Sequence, residues 1–186
     1  MTAGDLTSLE NVKEWLGLDP ANTSDDDLLT RLITAASGFM QRYCNRQFAS
    51  QAWTEIRDGV GNVRMAFANY PVTAVASVTV SGETIPASSG AGTFGYLFTD
   101  TMLILQGRRF RRGFANVELS YTAGFDPIPE EIEQACIELI AFRYREKDRT
   151  GKSSEGMAQQ TTSFVIRDMP PSVKTMLDDL KKVIPV

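Results

Sequence analysis

The chain has 186 residues, with 23 acidic against 19 basic side chains, a net charge of −4 and no histidine. That length fits one domain or one domain with an elaboration, and the 42% hydrophobic share is enough for a real core. The missing histidine removes His-based triads, His-bearing zinc sites and imidazole bases. With only 2 cysteines a four-Cys zinc site is also impossible. Net acidity argues against a protein that holds nucleic acid by bulk positive charge. No apolar run approaches the ~20 residues of a bilayer span, so no membrane is expected. Met1 to Asn11 lacks the basic region and apolar core of a signal peptide, and the chain is expected to be soluble and not exported by that route.

The first element is short. Thr7-Ser8-Leu9-Glu10 has the spacing of a capping box. Leu9, Val12, Trp15 and Leu16 share a face and Gly17 stops the helix, predicted over 7–17. A helix this brief must dock on something. Ser24 is expected to cap a second helix over 24–45, with Asp25, Asp26 and Asp27 in its first turn, where negative charge is favourable. Three consecutive helical residues point about 100° apart and cannot converge on one ion, so no metal is expected there. Leu28, Leu29, Leu32, Ile33, Ala36, Phe39, Met40 and Tyr43 form its apolar face.

From Gln47 the period changes. Short alternating runs, punctuated by Asp58-Gly59, Gly61-Asn62 and Ser81-Gly82, predict a small, mostly antiparallel β insertion over 47–122. Ile128 to Arg145 then reads as the central helix, predicted over 129–148. Pro129 suits its first turn, and Glu130, Glu131 and Glu133 suit the positive end of its dipole. Ile132 to Phe142 is apolar almost all round, which predicts burial on several sides. Thr150 to Thr161 is polar and without apolar period, a mobile loop in this reading, with Ser163 to Arg167 a short strand after it. Ser172 is expected to cap a last helix. Val173, Met176, Leu177, Leu180, Val183 and Ile184 form a clean stripe along it.

The fold class expected is therefore α+β: a helical core with an inserted antiparallel β unit and a C-terminal amphipathic helix. Residues 1–149 would make one domain and 150–186 a mobile loop with a C-terminal arm. Cys44 and Cys136 sit in apolar helical patterns and read as buried thiols.

Few motifs carry chemistry. Gly90-Ala91-Gly92-Thr93-Phe94-Gly95 matches the dinucleotide fingerprint in letters only, since a strand follows it where a helix is needed. Gly151-Lys152-Ser153 lacks the first glycine of a P-loop, because Glu146 stands there. The carboxylates fall in first helical turns and on polar faces, which capping and solubility explain. No enzyme activity and no cofactor are expected. The one dense basic cluster is Arg108, Arg109, Arg111 and Arg112 around Phe110. It lies between two β runs, hence on an expected hairpin tip. It suits a solvated loop, a contact to an acidic protein surface, or a phosphate backbone with a stacked base.

In order along the chain, several stretches carry a family resemblance. They are Leu6 to Leu16, Ser24 to Leu29, Ile33 to Ser37, Tyr43 to Phe48, Tyr70 to Val75, Tyr121 to Phe125 and the Pro129-Glu130-Glu131-Ile132 helix start. Together they resemble the head–tail connector (adaptor) proteins of long-tailed double-stranded DNA phages. The resemblance implies a virion protein of the head–tail junction, made in the host cytoplasm. It implies a homo-oligomeric ring, usually dodecameric, bound to the portal protein and receiving a neck, stopper or tail-completion protein. Genomic DNA would pass through its channel without specific binding.

On this reading the Arg108–Arg112 loop and the Val173–Ile184 stripe are the expected assembly contacts. Leu177→Asp is accordingly expected to spare folding and block assembly. The alternative function is a nucleic-acid-binding accessory protein using the Arg108–Arg112 loop.

Overall fold

The computed structural model describes residues 4–90, 92–147, 154–157, 160–163 and 169–182. The chain forms two compact units, Met1–Arg46 with Ile128–Val186, and Gln47–Pro127.

The first unit is built on helices α1 (Leu9–Leu16), α2 (Asp26–Tyr43), α3 (Glu130–Glu146) and α4 (Pro171–Asp179). α3 touches each of the other three. That explains why Ile132, Ala135, Cys136, Ile137, Leu139, Ile140 and Ala141 are all buried on one helix: three neighbours leave little surface for a polar face.

Three cap assignments differ from the sequence reading. Ser8, not Thr7, caps α1 and accepts from the Asn11 N–H at 3.2 Å. Thr7 instead donates to Glu133 Oε1 at 2.9 Å, beside Asn11 Nδ2 at 2.6 Å, which ties the start of α1 to α3. Ser24 does not cap α2; the cap position is Asp25, without a side-chain cap bond. The Asp25 carboxylate receives the Tyr144 hydroxyl at 2.5 Å. Ser172 is likewise inside α4, where Pro170 holds the cap position, and its hydroxyl donates to Glu138. At the other end of α1, Gly17 adopts φ +68 and the N–H groups of Gly17 and Leu18 return to Glu14 and Lys13, a Schellman closure.

Val12 is buried as expected, but the other buried α1 residue is Lys13. Its ammonium donates to the carbonyls of Pro20 and Asn22 at 3.2 and 2.8 Å and pairs with Asp26 Oδ1 at 2.6 Å. One lysine thus fastens α1, the following loop and the first turn of α2.

Cys44 and Cys136 are buried free thiols. Cys136 lies 3.7 Å from Ser37 Oγ, and Cys44 Sγ donates to the Leu177 carbonyl at 3.5 Å. Burial pushes the Cys44 thiol up to about 11 and the Cys136 thiol up to about 12, so both are protonated packing groups at neutral pH.

The second unit is a small sandwich of seven strands: β1 (Gln51–Gly59), β2 (Arg64–Ala66), β3 (Val72–Val80), β4 (Glu83–Ile85), β5 (Gly95–Phe98), β6 (Met102–Gln106) and β7 (Gly113–Ala123). One sheet runs β1-β7-β3-β4 and the other β2-β6-β5, with every named pairing antiparallel. Long β7 is the axis. Val117, Leu119, Tyr121 and Ala123 point inward at every second position. They join Val78, Val80 and Ile85 from their own sheet and Met65, Tyr96, Leu103 and Leu105 from the other in one core. The Phe67 and Tyr121 rings lie 4.7 Å apart. Tyr121 donates its hydroxyl to Glu55.

At the edge of this sheet Gly124 sits at φ +121, where a Cβ would come within 2.4 Å of the Ala49 carbonyl oxygen. Only glycine fits there without moving backbone.

The stretch after α3, expected to be a loop, contains two paired strands, β8 (Ser154–Met157) and β9 (Gln160–Ser163). Backbone pairing in a two-stranded ribbon needs no apolar alternation, so the sequence carries no sign of it. The strand expected from Ser163 to Arg167 lies almost wholly outside the described residues.

Candidate functional site

The basic cluster sits where β6 hands over to β7. The two strands belong to different sheets, so the expected hairpin tip is instead a crossover between sheets. The physical reason is Phe110, whose ring is completely buried and pulls the loop onto the core. The loop is also clamped by backbone. The Gly61 N–H donates to the Phe110 carbonyl at 2.6 Å and the Phe110 N–H to Asn62 at 2.9 Å. A Cβ on Gly59 would stand 1.8 Å from the Arg111 carbonyl oxygen, so glycine is what lets strand and loop touch.

Asn116 completes the clamp. Its amide accepts from the Gly59 N–H at 2.7 Å and donates to the Arg111 carbonyl at 2.9 Å. The Ala115 N–H donates to Asp58 at 2.6 Å. These ties fix the backbone from which the arginines project.

Arg108 pairs with Glu83 at 2.6 Å and stands 5.6 Å from the Phe94 ring centroid. Its hydrogen bond holds the Glu83 carboxyl below the usual range. Arg109, Arg111 and Arg112 are exposed.

The aromatic presented beside them is Phe114, 90% exposed, and not Phe110. Phe94, Val60 and Val63 add exposed apolar surface in the same unit. Sequence reasoning missed Phe114 because it opens β7 and reads as part of the strand. Counted back from inward Val117, Leu119 and Tyr121, its position falls on the outward face of β7, which is the signal that could have found it.

The second expected contact, the C-terminal stripe, divides. Val173 and Leu177 are fully buried within the chain itself, while Met176 and Leu180 are half-buried. Val183 and Ile184 lie outside the described residues. α4 is held in place by polar ties as well. The Tyr43 hydroxyl, Lys174 and Lys181 all bond Asp178, at 2.7, 2.5 and 2.7 Å, and these partners hold its carboxyl well below the usual range. The Lys182 N–H reaches the Cys44 carbonyl at 2.9 Å. A stripe says that a helix packs on something, and here that something is α2 and α3 of the same chain. The expectation that Leu177→Asp spares folding is therefore corrected.

A third feature lies on the helical unit. Trp15, expected on the buried face of α1, is 50% exposed. It stands between two open depressions of about 540 and 360 Å³. Glu14, Glu130 and Glu133 line the first. Ala141, Phe142 and Pro170 line the second, with Glu138, Arg145 and Glu146 around them. Among the described residues no group of three or more His, Cys, Asp or Glu side chains is placed to hold a metal ion.

The fold is shared with components of gene transfer agent (GTA) particles. One is from the neck of an empty GTA particle computed with C6 symmetry (TM-score 0.64, 18% identity). A second is from the neck of a native GTA particle computed with C12 symmetry (TM-score 0.61, 18%). A third is from the virion of a native GTA particle (TM-score 0.62, 16%). Each alignment covers 100% of this chain and 94% of the other. No curated protein matches the chain.

The head completion protein family model matches residues 5–183, and the chain belongs to that family. Its role is structural: it is a head–tail connector, located at the head–tail junction of a phage-like virion.

Proposed function

We propose that the protein works as a homo-oligomeric ring of twelve subunits under the portal protein. The ring extends the DNA channel and receives a neck, stopper or tail-completion protein on its far side. The observation that carries this reading is the extent of the match. The family model spans residues 5–183, and the full chain aligns with neck components of particles solved with six- and twelve-fold symmetry.

A closed ring needs heterologous contacts, one patch meeting a different patch on the next subunit. The helical unit, α4 included, serves as the body of the subunit. The exposed Arg109, Arg111 and Arg112 serve contacts made by the β unit, and among the described stripe residues Met176 and Leu180 are left to face a partner. The net charge of −4 lets genomic DNA slide past without a grip.

Purified protein mixed with portal protein is the test, read by light-scattering mass and electron microscopy. Twelve-membered rings coaxial with the portal are expected. Protein that stays monomeric and never joins the portal, at any concentration or salt, sinks the proposal.

A further inference from the structure

We infer that the basic, aromatic tip of the β unit docks into the Trp15 groove of a second copy of this chain, and that this is the contact that propagates the ring. The inference rests on the ring reading above and names the two surfaces that meet.

Each surface is incomplete by itself. The tip presents Phe114 at 90% exposure, with exposed Arg109, Arg111 and Arg112 shortly before it in the chain. An aromatic so fully in water, held on a clamped backbone, is the kind of residue that carries binding energy once covered. The groove presents Trp15 at 50% exposure with a carboxylate-lined depression on one side and a largely apolar one on the other.

The chemistry is complementary part by part. Glu14 and Glu130 face the arginines. The Trp15 ring offers a face to a guanidinium, for which tryptophan is the best side chain. Ala141, Phe142 and Pro170 offer an apolar seat for Phe114. Tip and groove are different patches, so their pairing is head-to-tail and closes into a ring when the rotation permits. The clamp of Gly59, Asp58 and Asn116 around the loop lowers the ordering cost of the contact.

Charge exchange tests the pairing. Arg111→Glu with Arg112→Glu on the tip should lower the yield of rings on portal by roughly tenfold or more, and so should Glu14→Arg with Glu130→Arg in the groove. All four changes together should recover most of the yield, because each reversed patch again meets its opposite. All four residues are exposed, and circular dichroism checks that every variant folds.

A second readout needs no portal. Protein carrying Arg112→Cys, mixed at high concentration with protein carrying Glu14→Cys, should form an interchain disulfide under mild oxidation. Cys44 and Cys136 are buried and do not compete.

Wild-type rings with no effect of either reversal and no cross-link overturn the inference and leave the ring standing. Loss of rings in both reversals without recovery in the combination, and without cross-link, also overturns it, since tip and groove then serve different partners. Tip variants that keep their rings but lose salt-sensitive binding to duplex DNA make the tip a nucleic-acid contact, and the inference falls. If wild-type protein never joins portal, the ring reading fails, and the cross-link still decides whether tip and groove meet.

Discussion

The two units of this connector are held together by different means. In the β unit a single apolar cluster runs through both sheets, with Val117, Leu119 and Tyr121 of β7 at its centre. In the helical unit the apolar contacts are supplemented by single polar residues that each fasten two or three segments. Lys13 serves α1, the 17–25 loop and α2; Glu133 serves α1 and α3; Asp178 serves α2 and α4. A sheet positions its strands by register along the whole ladder. Helices joined by loops have no ladder, and point ties do that work. The part of the molecule most exposed to single substitutions is therefore the helical unit.

The largest effect is expected where a charge is forced into the helical core. Leu177 is fully buried on α4, beside the Cys44 thiol that donates to its carbonyl. Leu177→Asp combines a lost apolar side chain with a buried unpaired carboxylate. It is expected to cost about 3–5 kcal/mol. Urea denaturation followed at Trp15, in a Trp53→Phe background, reads the helical unit alone. A midpoint unchanged from the parent would mean that α4 stands clear of the body, and the contrast between the units would lose its main support.

A smaller effect tests the point ties directly. Lys13→Met keeps the length and the apolar stem but removes the ammonium. The carbonyls of Pro20 and Asn22 lose a donor and Asp26 loses its ion partner. The cost expected is about 1–3 kcal/mol, held down because Asp26 remains partly in water. The loss should appear at Trp15 and leave the Trp53 signal of the β unit unmoved. An equal shift at both tryptophans would show that the units unfold as one block.

Much of this architecture was legible from periodicity. Helical spacing before Gln47, short alternating runs after it and the apolar run from Ile132 to Phe142 announce the mixed α+β class, because burial imposes those periods directly. What lay outside periodicity was lost. Phe110 stands between arginines on both sides, and nothing local tells that its ring goes in. The Phe110 backbone is tied to Gly61 and Asn62, remote in sequence. Thr7 and Ser8 compete for one cap, and Glu133, more than a hundred residues on, settles it by taking Thr7. Lys13 looks like a solvated helix residue until the 17–25 loop folds over it. The α4 stripe announced burial without saying against what, and resemblance filled that gap with a neighbour when the chain's own α2 and α3 already filled it.

The smallest expected effect separates the units by pH. A group whose pKa is raised on folding contributes stability that is full below its unfolded value and is lost as pH rises toward the folded one. In the helical unit the thiols rise from 9.0 to about 11 for Cys44 and about 12 for Cys136, both chiefly by burial. In the β unit Tyr121 rises from 10.0 to about 12, chiefly by burial and then by its bond to Glu55. The helical unit should thus begin to lose stability above pH 9 and the β unit only above pH 10. One pH unit past its unfolded value, a group has withdrawn about 1.4 kcal/mol. Denaturation at pH 8 and pH 10, read at Trp15 and at Trp53 in single-tryptophan variants, should lower the first midpoint and spare the second. Cys136→Ser should flatten part of the helical response, and Tyr121→Phe should flatten the later response of the β unit. Midpoints that fall together from pH 9 would instead mean that burial of the two thiols is felt by the whole chain.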